Sequence, residues 1–226
     1  MEYLFDTANL EDIRTYGAIY PYTGVTTNPS IIKKEGKINF FEHCREIRRI
    51  IGDDRTLHIQ VTALKAEDMV KEADAILDKI DGEVFIKVPV TEEGLKAIRA
   101  LKKKDIGVTA TAVYTKAQGF LAMEAGADYI AAYFNRMENM DINASSVIGS
   151  MAQMIRMWDY KTQILAASFK NMAQVNAAFE AGAHTATVQP DILKTAVNMA
   201  AIGKAAEDFA KDWRSVFGDV KIYEME

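Results

Sequence analysis

The chain has one cysteine, four prolines and three histidines in 226 residues, and each shortage excludes something. Cys44 has no second thiol to pair with, so an internal disulfide framework is ruled out. His43, His58 and His184 show no metal-ligand spacing with Cys44 or with a carboxylate cluster, and no metal is expected. No apolar stretch approaches the ~20 residues of a membrane-spanning helix. A net charge of −5 leaves no basic footprint for nucleic acid or for an anionic membrane surface, so neither is expected as a partner. The opening "MEYLFDTANL" lacks the charged and apolar regions of a secretory signal, which makes the cytoplasm the expected location. Nor is there a Pro-, Gly- or Ser-rich tract to act as a linker, so residues 1–226 are expected to form one domain. What remains, 49% apolar and 26% charged, suits a protein with a large core.

Short β-branched or aromatic runs recur along the whole length: "YLFDT", "GVTTN", "LHIQV", "VFIKV", "GVTATAV", "YIAAYF", "ILAAS" and "TATVQ". Their starts are about 21 to 35 residues apart, the length of one βα unit. Segments with a helical period lie between them. In "NFFEHCREIRRII", Phe40, Cys44, Ile47 and Ile51 share a face and Asn39 with Glu42 resembles a capping box; in "TEEGLKAIRALKKK", Thr91 is placed to cap. Eight units in series predict a closed (β/α)8 TIM barrel of the α/β class, with strands apolar on both faces and an active site at the C-terminal rim. An open doubly wound sheet is the rival, but no G-x-G-x-x-G follows the first strand. After the eighth unit, residues about 203–218 form a surplus amphipathic helix with Ala206, Phe209, Trp213 and Phe217 on one stripe. It is expected either to cover the barrel floor or flank, or to dock on a neighbouring subunit.

One amine interrupts the fourth run, "EVFIKVPV". Strand alternation points Lys87 with Phe85 into the barrel and Val84, Ile86 and Val88 toward the helices. Such a lysine is either a structural cation paired with a carboxylate or a desolvated amine able to attack a carbonyl and form a Schiff base. Polar groups stand at the other strand ends: Asp6 after the first, Thr26, Thr27 and Asn28 after the second, and Gln60 after the third. Thr109 and Thr111 share a face of the fifth; Tyr133, Asn135 and Arg136 close the sixth, and Ser168 with Lys170 follow the seventh. Each has a plain alternative: Asn28 suits a turn, Ser168 a helix cap, and Tyr133 the core. His58 shares a face with Gln60 one layer deeper and reads as a hydrogen-bonded core histidine.

In order and nearly end to end, "LFDTAN", "GVTTNPSII", "IKVPVTEEGLKAI", "TATAVYTKAQGFLAMEAGADYIAAYFNR" and "ILAASFK" resemble the small transaldolase family, which includes fructose-6-phosphate aldolases. The resemblance implies a TIM barrel and a class I mechanism that needs no metal or other cofactor, with dihydroxyacetone carried on Lys87. It implies sugar phosphates as the small-molecule partners, with Asp6 assisting proton transfer and Asn28 holding donor hydroxyls beside Thr26. By the same resemblance Gln60, Thr111 and Tyr133 hold a catalytic water, and Arg136, Ser168 and Lys170 grip the phosphate. Glutamine at 60 with tyrosine at 133 resembles the aldolase branch rather than the transaldolases. His58 and Gln189 depart from that pattern, and Gln189 is expected either to line the rim or, as the preferred reading, to bond backbone in its own loop. Relatives form pentamers or paired pentamers, so a homo-oligomer is implied. A transaldolase and a non-catalytic sugar-phosphate-binding barrel are the alternative functions.

Overall fold

The structure is a computed structural model and describes residues 1–225. Eight parallel strands close into a barrel in sequence order: β1 Glu2–Asp6, β2 Gly24–Thr26, β3 Thr56–Gln60, β4 Phe85–Pro89, β5 Val108–Val113, β6 Tyr129–Tyr133, β7 Gln163–Ala167 and β8 Thr185–Val188. β8 pairs back onto β1, with Leu4 opposite Thr187 and Phe5 opposite Val188. Every expected strand is present, and helices follow each on the way to the next.

The outward faces are the apolar ones. Phe5, Val25, Leu57, Ile59, Ile86, Val88, Ile130 and Ile164 are fully or almost fully buried against the helices, and a large side chain so removed from water stabilises the fold by roughly 1.5–3 kcal/mol. The inward face differs from the sequence expectation of strands apolar on both sides. It carries Thr26, Thr56, His58, Lys87, Thr109, Thr111, Thr185 and Thr187 between a few apolar side chains. Contacts between non-neighbouring strands prove the direction. Thr26 of β2 meets Thr187 of β8 at 2.7 Å across β1, and His58 of β3 meets Thr109 of β5 at 2.8 Å across β4. These hydroxyls satisfy one another, so a polar lumen carries little unpaired desolvation cost.

His58 is a core histidine, as expected: one ring nitrogen bonds Thr109 and the other Thr56 at 3.0 Å, while the ring stacks on Phe85 and meets Tyr129 edge-on. This layer closes the barrel beneath Lys87. β2 can lie so near β3 because residue 24 is glycine. A Cβ there would stand 2.1 Å from the Thr56 hydroxyl and 2.6 Å from its carbonyl oxygen.

Helix starts at the C-terminal rim are fixed by side-chain caps. Asn9, Asn28, Asn39, Thr91, Thr115, Asn143 and Asn171 each accept from a backbone N–H of the first turn. At Asn39 only half of the expected capping box forms: its amide oxygen accepts from Glu42 N at 3.4 Å. The final helix, Ala200–Phe217, buries none of its residues, and Phe209 is 72% exposed. It therefore does not cover the floor or flank of its own barrel. Trp213 packs instead on Phe217 and donates to the Val220 carbonyl.

Candidate active site

Lys87 stands inside the barrel mouth and is 3% exposed. It is flanked in register by Gln60 of β3 and Thr109 of β5. Its Nζ donates to the Thr27 carbonyl oxygen at 2.8 Å, its one hydrogen-bond partner among the described residues. Burial lowers its pKa from the ordinary lysine value, and the Asp6 carboxylate opposes that shift only in part. Asp6 spends its own hydrogen bond elsewhere, on the Thr26 hydroxyl at 2.8 Å. Its pKa is raised by burial, against the pull of Lys87, Thr26, Lys34 and Arg136. Low-dielectric surroundings thus push the two groups toward a free amine and a protonated carboxyl. That pair suits nucleophilic attack by the one and proton donation by the other.

Lys87 opens into a chamber of about 310 Å³ lined by Asp6, Asn28, Tyr133, Arg136, Ser168 and Lys170, with Lys34 and Gln189 completing its mouth. Asn135, also expected at the rim, lines the same chamber. Thr26 lies under Asp6, bonded to it and to Thr187. Asn28 does two things at once: its amide oxygen caps the short helix Pro29–Ile32 through Ser30 N and Ile31 N, while the residue lines the chamber. Tyr133 holds its phenol 2.9 Å from the Thr111 hydroxyl, and burial raises its pKa.

Thr111 reaches that phenol because β5 is irregular, its register with β6 shifting between Ala110 and Val113 and Ala112 taking φ 58°. A bulge next to a reaction centre re-aims a side chain in this way. Arg136, on the short helix Phe134–Glu138 after β6, lays its guanidinium 4.9 Å above the Tyr133 ring and reaches the Tyr114 hydroxyl at 3.4 Å. Ser168 does not cap the next helix; Asn171 does, through Gln174 N. Ser168 instead takes φ 64°, a left-handed conformation that costs a serine on the order of 1 kcal/mol or more and is typical of functional sites.

Two residues stand apart from their expected places. Gln60 lines a neighbouring cavity of about 640 Å³ with Leu64, Met69 and Pro89 rather than the Lys87 chamber, and its buried Oε1 has no hydrogen-bond partner among the described residues. Gln189 corrects the expectation of a loop-bonding role, because its side chain makes no hydrogen bond among the described residues and lines the chamber. Lys34 also lines the chamber, and no motif in the sequence singled it out. Among the described residues no cluster of three or more His, Cys, Asp or Glu side chains is placed to hold a metal ion.

Comparison with known proteins agrees with this architecture. Residues 3–224 match the family model described as transaldolase/fructose-6-phosphate aldolase. A protein of Streptococcus pneumoniae named probable fructose-6-phosphate aldolase is 49% identical over 213 residues, covering 94% of this chain and 96% of that one. A thiamine phosphate pyrophosphorylase from Pyrococcus furiosus superposes with a TM-score of 0.58 over 96% of both chains, at 16% identity, a likeness of fold alone. The chain therefore belongs to the transaldolase/fructose-6-phosphate aldolase family.

Proposed function

We propose that this protein is a cytoplasmic class I aldolase that reversibly cleaves fructose 6-phosphate to dihydroxyacetone and glyceraldehyde 3-phosphate. The observation that carries the reading is Lys87, an amine held in a buried site by a carbonyl oxygen with no carboxylate of the described residues bonded to it. The free amine attacks the C2 carbonyl of the open-chain sugar; the carbinolamine oxygen takes a proton from Asp6 and leaves as water, forming the imine. The Asp6 carboxylate left by that step takes the C4 hydroxyl proton, the C3–C4 bond breaks and glyceraldehyde 3-phosphate is released, leaving an enamine on Lys87. Tyr133, oriented by Thr111, is the proton donor we assign to the enamine carbon, after which hydrolysis frees dihydroxyacetone. Gln60 presents an unpaired acceptor that a water would satisfy. Arg136, Ser168 and Lys170 supply the guanidinium, hydroxyl and ammonium that suit a phosphate dianion, and Asn28 its amide for the donor hydroxyls.

The same lysine chemistry serves a transaldolase when the enamine waits for a second aldehyde, and the family includes both activities. The Tyr133 phenol, which lines the same chamber as Lys87, favours the hydrolytic reading, since it offers the enamine carbon a proton that transfer does not need there. Incubating the purified protein with fructose 6-phosphate alone tests this. Free dihydroxyacetone in stoichiometry with glyceraldehyde 3-phosphate supports the aldolase, and release that requires added erythrose 4-phosphate supports transfer. A barrel that merely binds sugar phosphates gives neither. We propose further that the exposed stripe of Ala200–Phe217 seats on another copy of this chain in a homo-oligomer, checked by sedimentation of the full chain against one truncated before residue 200.

A further inference from the structure

A cation outside the expected set lines the mouth of the Lys87 chamber. Lys34 sits in the tight turn Lys33–Glu35, which continues the Asn28-capped helix and ends at Gly36 with φ 74°. Glu35 anchors that turn by accepting from the Asn9 amide at 3.3 Å, so the segment is tied to the loop that follows Asp6. The Lys34 ammonium forms no ion pair or hydrogen bond among the described residues, although Asp12, Glu35 and Asp191 line the neighbouring chamber of about 460 Å³ that it also borders. An exposed, unpaired lysine at the mouth of a site is ordinary by itself; its position in the ring is what matters. It follows β2, whereas Arg136 follows β6, and in a closed ring of eight these strands are diametrically opposite. Ser168 and Lys170 follow β7, next to Arg136. Every cation expected on the phosphate therefore approaches from one side of the mouth, and among the described residues lining the chamber Lys34 is the exposed cation that faces them. Arg136 is moreover partly committed to the Tyr133 ring and the Tyr114 hydroxyl.

We propose that Lys34 is a specificity-determining residue that closes the phosphate cradle from the wall opposite Arg136, holding the anionic end of the sugar phosphate between cations on two sides. The proposal rests on the aldolase reading of this chamber and adds the residue that discriminates phosphorylated from neutral aldehydes. Both Lys34 and Arg136 act on the buried Asp6 carboxyl, which places the two charges within electrostatic range of the same reacting region. Losing one charge-assisted contact to a dianion weakens binding by about tenfold or more.

Three variants test it: Lys34→Met, which keeps length and removes charge; Lys34→Arg, which restores charge; and Lys33→Met, which removes an equal charge one residue away from a side chain that does not line the chamber. In the synthesis direction with dihydroxyacetone, Lys34→Met should raise KM for glyceraldehyde 3-phosphate about tenfold. KM for unphosphorylated glyceraldehyde and kcat for both should stay within about twofold. Lys34→Arg should recover most of the loss and Lys33→Met should show none. Equal effects on both aldehydes, or an equal loss in Lys33→Met, would overturn the proposal in favour of general stability or long-range field. Calorimetric titration with inorganic phosphate keeps the test independent of turnover. Wild type should bind phosphate about tenfold more tightly than Lys34→Met, and equal affinities overturn the role even if the protein proves to have no aldolase activity.

Discussion

The fully buried His58 makes stability depend on pH in a way that can be worked out. Burial is the largest influence on its imidazole and disfavours the charged form; Lys87 and Arg48 add repulsion, so its pKa falls well below the usual 6.5. In the folded protein the ring stays neutral, whereas in the unfolded chain it binds a proton as pH drops through 6.5. The contribution is therefore fully present above that value and is lost on acidification. Between pH 7.5 and pH 5.0 one such group costs about 2 kcal/mol of unfolding free energy, approaching 1.4 kcal/mol per pH unit at the acid end. His58→Leu removes the titrating group. It also strands the Thr109 hydroxyl, at roughly 1–3 kcal/mol, and leaves the Thr56 hydroxyl only its 3.4 Å bond to the Thr23 carbonyl, but that penalty does not vary with pH. Urea denaturation of wild type and variant at one protein concentration, at both pH values, isolates the effect. The variant should begin less stable and lose about 2 kcal/mol less on acidification. Parallel losses in the two proteins would mean that His58 titrates normally in the fold, and the account of a neutral buried ring would be wrong.

Three further outcomes are expected. Arg136→Ala should raise KM for fructose 6-phosphate by about tenfold with little change in kcat, as expected for binding shared by ground and transition states; equal losses with unphosphorylated aldehydes would contradict its assignment to the phosphate. Tyr133→Phe should lower release of free dihydroxyacetone by about a hundredfold, in the range of a lost general acid, while transfer to an added aldehyde falls less, as a comparison of the two rates on one preparation would reveal. Gly24→Ala should destabilise the fold by about 2 kcal/mol or more, since its methyl would overlap the Thr56 backbone oxygen 2.6 Å away; an unchanged denaturation midpoint would show that β2 and β3 separate freely.

The strands were readable because β-branched runs at a βα spacing leave few other folds open, and Lys87 was readable because an amine in such a run has to face somewhere. The polar lumen was not. A threonine in an apolar strand reads as neutral until the ring closes and sets Thr26 against Thr187 across an intervening strand. Lys34 was hidden for a related reason: which of two adjacent lysines faces the mouth depends on a tight turn after Pro29–Ile32, and sequence period says nothing about so short an element. Serine has no intrinsic preference for positive φ, so the strain at Ser168 leaves no trace in composition. The bulge that brings Thr111 to Tyr133 is a property of two strands together. The stripe on Ala200–Phe217 was legible as a stripe, yet amphipathicity carries no record of whose surface it covers.

Reductive trapping tests most directly whether Lys87 is an uncharged, reachable amine. Wild-type protein treated with dihydroxyacetone and borohydride should gain one reduced adduct per chain, located by mass spectrometry on Lys87, with the yield rising as pH increases toward the lowered pKa of that amine. Lys87→Ala should gain none while keeping its circular-dichroism spectrum. An unmodified wild type, or an adduct that persists in the alanine variant, would contradict the account.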